Sequence, residues 1–71
     1  MQNMQELGAA VRQARKRLGV TQADLAMSAG TGLRFIVDVE KGKPTVQAGK
    51  LLDVLHTLGL RMELRARTED R

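Results

Sequence analysis

The sequence predicts an all-α domain of four to five helices closed by one C-terminal β-strand. Three observations carry this. Apolar residues recur at helical spacing in four short segments. Glycines, with the single Pro44, punctuate those segments. The last ordered stretch changes to period two, the signature of a half-buried strand.

The first helix is expected from about Met4 to Leu18, with Leu7, Val11, Ala14 and Leu18 on one inward stripe. Gly19 stops it, and Arg15, Lys16 and Arg17 fill its last turn, where the helix dipole favours cations. The second opens at Thr21, with Asp24 three residues on as a variant capping box, carries Leu25, Ala26 and Ala29, and ends at Gly30. At two turns it is stable only when packed. The third runs from about Gly32 to Lys41 and stops at Gly42. Ile36 centres its inward face, flanked by Leu33 and Val39, while Arg34, Val37, Asp38 and Lys41 point outward. Thr45 is the expected cap of a fourth helix carrying Leu51, Val54, Leu55 and Leu58, ended by Gly59. In the strand, Leu60, Met62, Leu64 and Ala66 alternate with Arg61, Glu63, Arg65 and Arg67. The expected organisation is therefore a helical unit over 1–59, a strand over 60–67 and a tail over 68–71.

A chain of 71 residues holds one domain at most. It buries only about 60% of its unfolded surface, so it is marginal as a monomer. There is no Cys and only one His. Disulfides and thiolate metal sites are excluded, no His cluster exists, and oligomerisation is the staple left. His56, on the outer side of the fourth helix, reads as a surface residue. The expected cofactor content is none. No nucleophile–base pair or phosphate-binding glycine loop is present, so an enzyme is not expected. The net charge of +4 favours a polyanionic partner, against a merely solvated basic surface. The start of the chain is polar and no apolar run is long enough to span a bilayer, so a cytoplasmic location without membrane association is expected.

The block from Thr21 to Val39 carries the functional signal. A two-turn helix, a turn at Gly30 and a second helix form a helix-turn-helix, whose second helix can enter the DNA major groove. Ala26 is small where the two helices cross, and Leu25, Ala29, Ile36 and Val39 wedge between them.

Leu18-Gly19-Val20-Thr21-Gln22, Leu25-Ala26, Gly30, Ile36, Glu40-Lys41-Gly42-Lys43 and Leu58-Gly59 together resemble the phage-repressor-like (Xre/Cro) helix-turn-helix family. The resemblance covers about residues 7–59 and implies a lambda-repressor-like fold. The strand that follows resembles that of HipB-type antitoxins. For those proteins the resemblance implies a strand pairing two subunits and a HipA-type kinase toxin as partner. A dimer is also expected independently, because one strand cannot satisfy its own ladder. The competing reading docks this stretch on its own helices as an irregular tail.

Arg34 is the candidate base reader, since Arg makes the commonest specific contact, to guanine O6 and N7. The alternative is a phosphate or solvent contact. Gly32, Leu33 and Val37 stand where the family often places polar base contacts; Leu33 and Val37 can touch thymine methyls, and DNA shape then carries more of the specificity. Asp38 can accept from a cytosine amine or stay solvated. The resemblance implies that Gln22 reaches a phosphate beside the start of the second helix, with Thr21 next to it. Arg12, Lys16, Lys41 and Lys43 are backbone-contact candidates, against a plain solvated basic face. The family pattern pairs Arg15 with Glu40 in a structural ion bridge. Leu60, Met62, Leu64 and Ala66 are the dimerisation residues.

The expected function is sequence-specific repression by a homodimer on palindromic double-stranded DNA, as the HipB-like antitoxin of a toxin–antitoxin operon. The rivals are a stand-alone phage- or plasmid-type repressor and a protein-interaction module with weak DNA binding.

Overall fold

The computed structural model describes residues 3–64. Among these, four helices follow one another: α1 (Met4–Leu18), α2 (Gln22–Ala29), α3 (Leu33–Lys41) and α4 (Ala48–Thr57). Helix α3 packs on α1 and α2, and α2 packs on α4.

Local chemistry sets the boundaries. Asn3 caps α1 by accepting the Glu6 N–H at 2.9 Å. Thr21 and Asp24 form a complete capping box on α2: the Asp24 N–H donates to Thr21 Oγ1 at 3.0 Å, and the Thr21 N–H donates to Asp24 Oδ2 at 3.1 Å. All four helices are closed by glycines of positive φ: Gly19, Gly30, Gly42 and Gly59. At Gly30 the left-handed conformation (φ 75°) lets the Gly30 and Thr31 N–H groups fold back onto Met27 and Ala26 carbonyls. That reversal sets up the turn into α3, and a side chain there would be strained.

The core is apolar: Leu7, Val11, Ala14, Leu25, Ala26, Ile36, Val39, Leu51, Val54, Leu55 and Leu58 are buried, with Val11, Ile36, Val39 and Val54 wholly so. Gly8 is buried where α1 meets α3. A Cβ there would lie 2.3 Å from the Val39 carbonyl oxygen, so the two backbones touch.

Four expectations are corrected. Leu18 is 59% exposed and lies off the buried stripe; as the last residue of α1 it has no element beyond it to pack against. Leu33, at the start of α3, is half exposed and lies outside the core. Thr45 does not cap α4, which begins at Ala48 with Gln47 as its N-cap and no side-chain capping bond; Lys43-Pro44 is followed by a longer connection than the capping signal implied. Finally, the strand expected over 60–67 does not form over residues 60–64. A strand needs a ladder partner and this single chain offers none. Ala66, with the rest of that stretch, lies outside the described residues.

Candidate DNA-binding surface

One polar cluster fixes α3 against α1 and α2. The Arg15 guanidinium on α1 meets the Glu40 carboxylate on α3, with Nε donating to Oε2 at 2.6 Å and Nη2 to Oε1 at 3.2 Å. Its Nη1 donates to the Val20 carbonyl at 2.9 Å. Gln22, the first residue of α2, donates its amide to Glu40 Oε1 at 3.1 Å. The two charged side chains are only 11% and 5% exposed, so the pair sits where solvent screening is weak. The hydrogen bond to Glu40, reinforced by its charge, holds the Arg15 pKa above its ordinary value against the opposing effect of burial. This cluster ties the end of α3 to the start of α2.

The α3 surface beside it is open. Gly32, Leu33, Arg34 and Lys41 are exposed and Val37 is half-buried. The Arg34 side chain is 81% exposed. Asp38, expected to point outward and either accept from a cytosine amine or stay solvated, is drawn into two ion pairs. Its side chain is 19% exposed, with Oδ1 3.2 Å from Arg34 Nε and Oδ2 3.6 Å from Lys43 Nζ. Lys43 is itself anchored, because its N–H donates to the Asp38 carbonyl at 3.0 Å in the turn closing α3.

The other sequence candidates fall as follows. Arg12 and Lys16 are exposed one turn apart on α1, and Lys41 and Lys43 are exposed at the end of α3 and in the turn after it. The Thr21 hydroxyl accepts the cap bond and retains its own proton to donate. The Gln22 amide uses one N–H on Glu40 and keeps a second. Both remain chemically able to bind an oxyanion beside the start of α2. His56 is exposed. Phe35 is half-buried against the core, with Lys50 Nζ 6.0 Å from its ring centroid. Among the described residues no group of His, Cys, Asp or Glu is arranged to hold a metal ion, and no helix is long and apolar enough to cross a membrane.

Sequence reasoning missed three contacts: the Gln22–Glu40 bond, the double pairing of Asp38, and the Gly8 contact with Val39. Two had a legible signal: the i,i+4 spacing of Arg34 and Asp38 for one arm of the Asp38 pairing, and for Gly8 a glycine inside a helical pattern, which costs helix stability unless close packing requires it.

A short helix, a glycine turn and a second helix locked to the first by a shared carboxylate define a helix-turn-helix protein. The chain matches the helix-turn-helix domain family over residues 6–68 and belongs to it. It is 53% identical over 66 residues to an uncharacterized HTH-type transcriptional regulator, y4mF, of Sinorhizobium fredii, with 93% of this chain and 87% of the relative covered. A chain of the HipA-HipB-O2-O3 complex matches with a TM-score of 0.84 at 24% identity, over 96% of each chain. The restriction-modification controller protein C.AhdI from Aeromonas hydrophila matches with a TM-score of 0.72 at 24% identity, over 82% of this chain and 84% of that one. At these identities the structural likeness is one of fold.

Proposed function

We propose that this chain is a sequence-specific repressor that binds palindromic double-stranded DNA as a homodimer. In this reading α3 enters the major groove. Arg34 reads a base, Leu33 and Val37 pack on thymine methyls beside the small Gly32, and Thr21 and Gln22 hold a phosphate at the start of α2. Arg12, Lys16, Lys41 and Lys43 supply the phosphate contacts that release counterions. The observation that carries the reading is the Arg15–Glu40–Gln22 cluster beside an open α3 face: the chain spends a mostly buried ion pair on fixing the angle between α2 and α3. The family it belongs to and a net charge of +4 support it.

Dimerisation through residues 60–67 belongs to the same proposal. Met62 is 43% and Leu64 92% exposed, apolar surface that a second subunit would cover. We further propose the role of a HipB-like antitoxin with a HipA-like kinase toxin as partner; the fold likeness to a chain of the HipA-HipB-O2-O3 complex supports it.

The test is co-purification of the tagged protein from its native cells, with mass spectrometry of bound protein and sequencing of bound DNA. A kinase-like protein together with a palindrome upstream of its own gene is expected. A palindrome alone makes the chain a stand-alone repressor. Protein without enriched DNA makes the α3 face a docking surface and ends the base-reading role of Arg34.

A further inference from the structure

We infer that Asp38 is a positioning residue for specificity, holding Arg34 in the one orientation that reads guanine; this rests on the DNA-binding reading above. The geometry divides the carboxylate between two cations. Oδ2 faces Lys43 Nζ at 3.6 Å, and Oδ1 faces Arg34 Nε at 3.2 Å. Lys43 is fixed to the same turn by its backbone bond to the Asp38 carbonyl, so the carboxylate is braced from behind.

The pair has little to contribute to stability. Arg34 is 81% exposed, and an exposed ion pair one helical turn apart is worth little in water. Its electrostatic sign is also wrong for affinity, since a carboxylate on a face that meets phosphates is repelled. What it does supply is order. A free arginine has several rotatable bonds and loses that freedom on binding. With Nε occupied by Asp38, the two terminal nitrogens remain, side by side, as the matched pair for guanine O6 and N7. Asp38 therefore acts through Arg34 and does not itself touch a base.

The experiment is selection of bound sequences from a random duplex library by the full chain, its Asp38→Asn variant, its Arg34→Ala variant and the double variant. Binding of the selected duplex and a guanine-to-adenine duplex is then measured by fluorescence anisotropy. The wild type selects a guanine at one position of each half-site, and Arg34→Ala loses it. Asp38→Asn lowers the preference for that same guanine about two- to fivefold, the scale of an exposed ion pair one helical turn apart. Its affinity for the adenine duplex stays equal or rises, because a negative charge has been removed. In the Arg34→Ala background Asp38→Asn changes no preference. An unchanged guanine preference in Asp38→Asn overturns the inference, and so does loss of preference at a different base pair, which would make Asp38 a reader itself. Failure of the wild type to select any sequence removes the DNA-binding reading, and this inference with it; a wild type that selects DNA while Asp38→Asn behaves identically removes the inference alone.

Discussion

The Arg15 guanidinium lies edge-on to the Glu40 carboxylate, Nε 2.6 Å from Oε2 and Nη2 3.2 Å from Oε1, so a residue near the end of α1 grips the last turn of α3. Because Gln22 shares Oε1, the same carboxylate also holds the start of α2.

Glu40→Ala leaves a mostly buried guanidinium with only the Val20 carbonyl. It is expected to destabilise the fold by about 3 kcal/mol, a large share for a domain this small. Urea unfolding followed by circular dichroism measures it. Replacing both partners, as Arg15→Met with Glu40→Leu, is expected to recover much of that loss. Arg15 contributes no pH dependence in the accessible range. Its folded pKa is raised, so its stabilisation is complete below the unfolded value and is lost only in strong alkali.

The same substitution has opposite signs at two glycines. Gly8→Ala pushes a Cβ to 2.3 Å from the Val39 carbonyl oxygen and drives α1 off α3. A loss of about 1–3 kcal/mol is expected, despite the gain in helix propensity. Gly49→Ala, in the first turn of α4 with open space around it, is expected to stabilise by about 0.5–1 kcal/mol. Thermal melts of the two variants check both signs.

Each phosphate-contacting cation contributes to the salt dependence of DNA binding. Lys16→Gln and Lys41→Gln are each expected to weaken binding to all duplexes alike and to flatten the log–log salt slope by about 0.9. Anisotropy titrations between low and moderate salt measure it. A change confined to one sequence would make the residue a base reader.

Leu64 is 92% exposed in the single chain. Leu64→Glu is therefore expected to leave the melting temperature of the helical unit nearly unchanged at high dilution while converting dimer to monomer. Sedimentation equilibrium reads the second effect and circular dichroism the first. A wild type that is monomeric at micromolar concentration contradicts the dimer.

The helices were legible because each rests on local chemistry. The Thr21/Asp24 capping box and the terminal glycines set boundaries within a few residues of contact, and the 3.6-residue stripe found Val11, Ile36, Val39 and Val54. Leu18 and Leu33 were misplaced because helical phase says which side a residue faces and not whether another element reaches it. Thr45 failed for a related reason: a capping residue type marks a helix start only where the backbone turns there. The α3 face was legible as residue types but not as pairs. The spacing of Arg34 and Asp38 is compatible with an ion pair, yet the bracing of Asp38 by Lys43 depends on the glycine turn after α3, which folds the chain back. The strand signal at 60–64 is a pattern of alternation, and alternation becomes a strand only with a partner.

The most direct test is an anisotropy titration of the purified chain against a labelled duplex carrying the palindrome of its own promoter, beside a scrambled duplex of equal composition. A helix-turn-helix dimer is expected to prefer the palindrome by about a thousandfold or more at physiological salt, and to lose that preference when the spacing between half-sites is changed from about 10 base pairs by half a helical turn. Equal affinity for the two duplexes, falling together as salt rises, would contradict sequence-specific binding and leave α3 as a basic surface for another partner.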